Sequence, residues 1–210
     1  CGSGTILEEL ILLGYKKIIG SDLSEEAVKN SLANIDWLFR NYPSVKKEDY
    51  SLEIFKFDVR NLSNSSKIKK KEIEAIVTEP FLGSEKSRRF NLNQLKQEVK
   101  KIEALYLSAF KEFNKVLEKS GLVVIVFPVF RCRGQFLHLE ILNEIGRMGF
   151  EVKDFLPKKF SNEKNLKKLN LKMTSRNSIV YFRPGQIISR EILIFKRRKF
   201  KNQQFNTAFF

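Results

Sequence analysis

Apolar positions along the chain switch between a helical and a strand period, and the switches mark out alternating elements. From Thr5 to Leu13, Ile6, Leu7, Leu10, Ile11 and Leu13 recur at helical spacing, and Gly14 follows where a helix C-terminus prefers glycine. A short strand is expected at Lys17–Gly20, running into Ser21 and Asp22. Ser24 is placed to cap a second helix, with Glu25 and Glu26 in its dipole-favoured first turn and Ala27, Leu32, Ile35 and Leu38 on its inner face. Past Tyr42 and Pro43, Leu52–Phe57 reads as a strand ending at Asp58, and Glu74–Thr78 as another, closed by Pro80 and Gly83. Leu92–Leu117 carries a long helical stripe through Leu95, Val99, Ile102, Tyr106, Ala109, Phe113 and Val116. The unbroken apolar run Leu122–Phe127 is that of a strand buried on both faces. Phe136–Met148 is expected to be a helix ended by Gly149, followed by a strand over Phe150–Leu156. Ser178–Phe182 and Glu191–Lys196 are expected to be strands on either side of a turn at Pro184 and Gly185. Strands alternating with helices predict an α/β fold with an open, mostly parallel, doubly wound sheet.

Composition narrows the class. With 42% hydrophobic and 12% aromatic residues, 19 of them Phe, the 210-residue chain can bury a sizeable core and is no disordered polyelectrolyte. No stretch approaches the ~18 apolar residues of a membrane span, so no membrane association is expected. Two unpaired Cys suit a reducing, cytoplasmic setting, and with one His they leave no Cys/His zinc site, so no metal is expected. The 39 Lys and Arg outnumber the 24 Asp and Glu, giving a formal charge of +15 and a pI near 9.8. That charge suits a polyanionic partner, since neutralised phosphates release counterions, though a lysine-rich solubilising surface has the same composition. The chain opens inside a glycine-rich turn rather than at a Met, and is read as a fragment.

In sheets of this kind ligands bind outside the carboxyl ends of the strands. Four junctions there are chemically loaded: Cys1–Thr5 (CGSGT), Gly20–Asp22 (GSD), Phe57–Val59 (FDV) and Thr78–Gly83 (TEPFLG). Gly2 and Gly4 let the backbone approach a ligand at the start of the first helix, and Asp22 lies about 20 residues on, where a carboxylate takes a ribose diol. A dinucleotide site wants a third small residue in the glycine frame, and Leu7 stands there instead. That disfavours a nicotinamide- or flavin-dependent oxidoreductase. S-adenosylmethionine shares the ribose but has no pyrophosphate to cradle, and tolerates the bulky residue.

The order CGSGT, GSD, IVTEPFLG resembles the class I methyltransferases that modify RNA, and in particular the THUMP-associated family that methylates the exocyclic amine of guanine in tRNA. The likeness runs from Cys1 to about Arg197. It implies a Rossmann-like, doubly wound, mostly parallel sheet of the class I methyltransferase type with a C-terminal antiparallel strand. One catalytic domain would cover 1–197, its leading strand upstream of Cys1, with a lysine-rich insertion near 158–177 and a basic, polar tail at 198–210. By the resemblance, Cys1, Gly2, Gly4 and Thr5 form the cofactor turn, Asp22 holds the ribose, Asp58 meets the adenine amine, and Leu23 and Val59 wall the adenine ring. Glu79, Pro80 and Phe81 would be catalytic. An exocyclic amine is a poor nucleophile because its lone pair is delocalised; the Glu79 carboxylate and the Pro80 carbonyl, accepting its N–H groups, would localise and aim that pair. Glu79 replaces the family's Asp, Phe81 its second Pro, and Leu82 the aromatic that stacks on the target base, a task Phe81 could take over.

Basic residues sort by edge. Lys86, Arg88 and Arg89 follow the strand that ends at Thr78, and Arg131 and Arg133 follow the next, so these are the expected RNA-phosphate contacts, with tRNA as partner. Lys67, Lys69, Lys70 and Lys71 precede a strand, face the other edge and are read as solvated surface. The stretch Lys158–Arg176 could clamp RNA or lack fixed structure, and Lys196–Lys201 is read as a solvated tail. His138 is expected to be structural, and Cys132 has no activating neighbour. The expected activity is thus S-adenosylmethionine-dependent methyl transfer to RNA, guanine N2 in tRNA first. The alternatives are a methyltransferase of rRNA or DNA, or a silent RNA-binding module on a decayed methyltransferase fold.

Overall fold

The computed structural model describes residues 1–132, 134–156, 173–182 and 188–198, with the side chains of all of these except Glu85 and Arg88. The expected turn at Pro184 and Gly185, most of the lysine-rich insertion, and the tail from Lys199 onward lie outside the described residues.

The chain begins with α1 (Thr5–Leu12), β1 (Lys17–Asp22), α2 (Glu25–Asn41) and β2 (Ser51–Lys56). Ser24 caps α2 by accepting from the Ala27 N–H at 3.3 Å. β1 and β2 pair in parallel from Lys17 opposite Ser51 to Asp22 opposite Lys56. Ile18 of β1, Leu7 and Ile11 of α1, and Ile35 and Leu38 of α2 close a small core over this pair.

A 3-10 turn, Val59–Asn64, leads to β3 (Ile73–Thr78), the long helix α3 (Leu92–Val116) and β4 (Leu117–Cys132). α3 starts in a reciprocal capping box between Asn91 and Gln94, and its apolar stripe lies on the sheet as its spacing predicts. β5 (Gln135–Leu137), α4 (Leu142–Arg147), β6 (Phe150–Lys153), β7 (Ile179–Tyr181) and β8 (Ile188–Arg197) complete the described elements. β3 and β4 run parallel, β8 is antiparallel to β4 and to β6, and the strand order is β3-β4-β8-β6. β5 continues the β3 side of β4, and β7 continues the β6 side of β8. The expected parallel sheet with a late antiparallel strand is therefore present, divided into the β1–β2 pair and the β3-β4-β8-β6 group.

The main core lies between α3 and the second group. Phe110 stands at its centre, its ring 5.6 Å from Phe113, 5.1 Å from Phe150 and 5.0 Å from Phe195, all edge-on. Among the described residues, six phenylalanines, 110, 113, 127, 130, 150 and 195, are buried. No helix among the described residues is long and apolar enough to cross a membrane.

One expected element is corrected. Phe136–Met148 is not a single helix: Phe136 pairs antiparallel with Arg131 in β5, and only Leu142–Arg147 is helical. The apolar residues Leu139 and Ile141 are buried in the connection, and hairpin pairing to β4 satisfies the backbone that a helix would have used. β4 also begins five residues before the apolar run at Leu122, its early part irregular at Ser120, where φ is +77°.

Candidate functional site

The carboxyl ends of β1 and β2 lie together beside the turn that enters α1. Gly4, at φ +97°, is the residue before that helix, and a Cβ there would press on Ser31 at 3.1 Å. Gly2, at φ +57°, has open space where a side chain would stand. The turn is held from below by α2: Ser31 Oγ donates to the Gly2 carbonyl (2.9 Å) and Asn34 Nδ2 to the Ser3 carbonyl (2.9 Å). Neither residue was picked out by the sequence reading. Ser31 is a fully buried polar residue on the α2 stripe that includes Val28, Ile35 and Leu38, and a serine at that spacing was the available signal.

Asp22 ties the turn to the strand end. Its Oδ2 accepts from the Gly2 N–H (2.9 Å) and the Cys1 nitrogen (3.0 Å), and its Oδ1 from the Ser24 N–H (2.9 Å). Burial works against the charge, while the backbone N–H donors of Ser24 and Gly2 draw the carboxyl below its ordinary range. Oδ1 keeps acceptor capacity, and the open space over Gly2 leaves room for a ligand, so this donor set fits the ribose and tail of S-adenosylmethionine. Leu23 is exposed beside it, Val59 half-buried, and Thr5 exposed in the first turn of α1.

The ends of β1 and β2 are stitched together by the Phe57 N–H donating to the Asp22 carbonyl at 2.8 Å. One residue on, Asp58 caps the 3-10 turn and is gripped by Arg60, through its backbone N–H and through Nε (2.9 Å) and Nη2 (2.5 Å). Those bonds hold the Asp58 carboxyl below its usual value.

Glu79 follows β3, and both its oxygens are engaged from the far end of the chain. Arg190 Nε donates to Oε2 at 2.8 Å and Nη2 to Oε1 at 3.0 Å. This fork from β8 was not legible in the sequence, because the partners are 111 residues apart. Below them Tyr106 donates to the Val126 carbonyl at 3.0 Å, with the Phe81 carbonyl 3.4 Å away. Burial, then the nearby Glu79 charge, pushes the Tyr106 hydroxyl far above its ordinary value, so it stays a neutral donor. Gly83, at φ +118°, lets the loop lie on Phe130, where a Cβ would come within 2.9 Å of the ring. Pro80 is half-buried and Phe81 is 55% exposed, the most accessible apolar side chain of this loop.

Of the expected RNA contacts, Lys86, Arg89 and Arg131 are exposed at the same edge of the sheet. Arg133, and the side chain of Arg88, lie outside the described residues. His138, expected on a helix, lies instead in the connection after β5, its Nδ1 3.3 Å from the fully buried Glu191, which also accepts from Ser178 Oγ at 2.6 Å. Cys1 and Cys132 are free thiols, and Cys1 Sγ lies 3.5 Å from Ser31 Oγ. No group of three or more potential metal ligands occurs among the described residues.

No family model and no curated protein matches the sequence. Solved structures match in fold. NSun6 from Pyrococcus horikoshii with SFG superposes at a TM-score of 0.62 and 14% identity, over 95% of this chain and 46% of that one. TrmN from Thermus thermophilus gives 0.53 and 14%, over 93% and 41%. A candidate rRNA-methylase from Clostridium thermocellum gives 0.51 and 13%, over 95% and 83%. This chain spans less than half the length of the first two. Strand order, the glycine turn and the acidic strand ends together define the class: the fold is that of the class I S-adenosylmethionine-dependent methyltransferases.

Proposed function

We propose that the chain binds S-adenosylmethionine against the turn before α1 and methylates an exocyclic amine of a base in RNA, with guanine N2 in tRNA the first substrate and the THUMP-associated enzymes the nearest family. The observation that carries this reading is the glycine turn bonded to Asp22 at the end of β1, with Asp58 following β2 and Glu79 following β3. When bound, S-adenosylmethionine supplies an electrophilic methyl group. Asp22 takes the ribose hydroxyls, and the bare backbone at Gly2 and Gly4 allows close approach of the tail. Glu79, fixed by Arg190, and the Pro80 carbonyl accept from the amine and aim its lone pair. A nitrogen that gains a methyl must shed a proton, and Glu79 accepts it. Exposed Phe81 offers the base a ring to stack on, and Lys86, Arg89 and Arg131 meet phosphates.

The test is RNA-dependent formation of S-adenosylhomocysteine with bulk tRNA, followed by digestion and mass analysis for N2-methylguanosine. Absence of S-adenosylmethionine and S-adenosylhomocysteine binding in isothermal titration would overturn the reading. The Arg190 fork over both Glu79 oxygens favours one other reading, a silent RNA-binding module. It expects salt-dependent tRNA binding with no methyl transfer.

A further inference from the structure

A cleft of about 660 Å³ opens along the outer side of α3, lined by Arg60, Lys71, Lys111, Glu112, Lys115 and Arg197 among others. It reaches to the edge of the sheet opposite Glu79, since Lys71 precedes β3 and Arg197 ends the antiparallel β8. Two of its cations converge on the last turn of α3. Lys71 Nζ donates to the Asn114 carbonyl at 2.6 Å, and Arg197 donates to Asn114 Oδ1 at 2.7 Å and to the Leu117 carbonyl at 2.8 Å. The bland explanation is that they satisfy a helix C-terminus, whose end carries about half a negative charge. Two full cations exceed that, and three more line the same cleft. Asp58 offsets Arg60, and Glu112 offsets Lys115. Five cations less two carboxylates leave +3.

Lys71 is exposed, and partial burial of its ammonium against Asn114 together with the Arg197 charge pulls its pKa down. Its backbone stands at φ +66°, a region that disfavours side chains. The lysine run that sequence pattern assigned to solvent thus ends in a residue built into a cleft. Lys111, exposed on the same face of α3, has no ion-pair partner among the described residues.

We propose that this cleft, which runs from Arg60 beside Asp58 to the opposite edge of the sheet, binds backbone phosphates of the RNA, a second contact apart from the target base; the inference rests on the RNA reading above but not on methyl transfer. Phosphates would supply the charge that the cleft lacks. The cations lie along an open trough, which suits a chain of phosphates better than one enclosed anion.

The test is fluorescence anisotropy of bulk tRNA against the unmodified chain, Lys71→Met, Lys111→Gln and a control, Lys29→Gln, whose partner is Glu25 on α2, each between 50 and 200 mM salt. Each lost phosphate contact lowers the slope of log affinity on log salt by about 0.7–0.9, which over that fourfold salt range is about 3-fold in affinity. Lys71→Met and Lys111→Gln should each show this loss, and Lys29→Gln should not. Lys111→Gln breaks no described contact, so its result does not depend on folding. If both cleft variants keep the slope of the control while Lys86→Gln and Arg89→Gln lower it, the cleft inference is overturned and the RNA reading stands. If the unmodified chain binds no tRNA at 50 mM salt, both fall. Inorganic pyrophosphate that raises the melting temperature through Lys71, with the tRNA slopes unchanged, would overturn it in favour of a small phosphate ligand.

Discussion

Replacing Arg190 by methionine keeps the bulk of the side chain over the TEPF loop and removes the fork that holds Glu79. Two charge-assisted hydrogen bonds of 2.8 and 3.0 Å are lost. Their side chains are 29% and 37% exposed, so solvent screens them, and the coupling is about 1–2 kcal/mol rather than the full value of two buried bonds. If the fork keeps Glu79 in place for the target amine, Arg190→Met slows methyl transfer by roughly 10-fold, at about 1.4 kcal/mol per decade. Glu79→Ala removes the acceptor itself and slows it by roughly 10²-fold or more, the scale of losing one well-placed polar group in a transition state. Because Arg190 acts through Glu79, the double variant should be no slower than Glu79→Ala alone. The assay is single-turnover transfer to tRNA beside a measured S-adenosylmethionine dissociation constant, which separates chemistry from binding. Cofactor affinity should stay within about 2-fold in all three. Losses that add in the double variant would refute the positioning role of Arg190. A fall in cofactor affinity on Glu79→Ala as large as that on Asp22→Ala would move the whole TEPF loop into the cofactor pocket.

Asp22→Ala should act in the opposite sense, weakening S-adenosylmethionine binding first, because it also frees the Gly2 and Ser24 N–H groups that shape the turn; isothermal titration reads it. Phe110→Ala should destabilise the fold by about 3–5 kcal/mol, since three rings pack on it, and should shift the urea midpoint. Glu112 has a pKa lowered from 4.5: burial opposes its charge, but Lys115 and Ser63 outweigh it. Its contribution is therefore complete above pH 4.5 and lost as pH falls through the lower folded value. Glu112→Gln should flatten the stability curve in that acid window, as followed by urea unfolding between pH 3 and 7.

What could be read before folding was whatever depended on local period and turn chemistry. Gly2, Gly4 and Asp22 were legible because glycine freedom and a strand-terminal carboxylate are properties of short segments. α3 was legible because 25 residues kept one stripe. Phe136 was assigned to the wrong element because the apolar positions from Phe136 to Ile145 fit a helical stripe as well as a strand and a buried connection. Deciding between them requires the partner strand β4. The Arg190 fork and the Lys71 cleft are both long-range: each joins residues from separate elements, and no local pattern marks a lysine that bonds to the last turn of a helix. Ser31 was hidden for another reason, being a polar residue on an apolar face whose purpose appears only once the turn it supports is in place.

Among the described residues no strand pairing joins the β1–β2 pair to the β3-β4-β8-β6 group. Their mutual packing runs instead through Phe55 of β2 and the segment that follows, where Leu62 and Ile68 enter the core beneath α3 and Glu112 receives the Ser63 N–H at 2.7 Å. Asp22 and Asp58 ride on one body, Glu79 and Arg190 on the other. Under the proposed activity this seam would act as a calibration joint, its side chains setting the distance between the cofactor and the target base. In-line displacement is steep in that distance, with about 1 Å of error worth roughly 10²-fold in rate. If that activity holds, a shaved methyl group at Leu62 would slow methyl transfer while Asp22, Asp58 and Glu79 kept their own contacts.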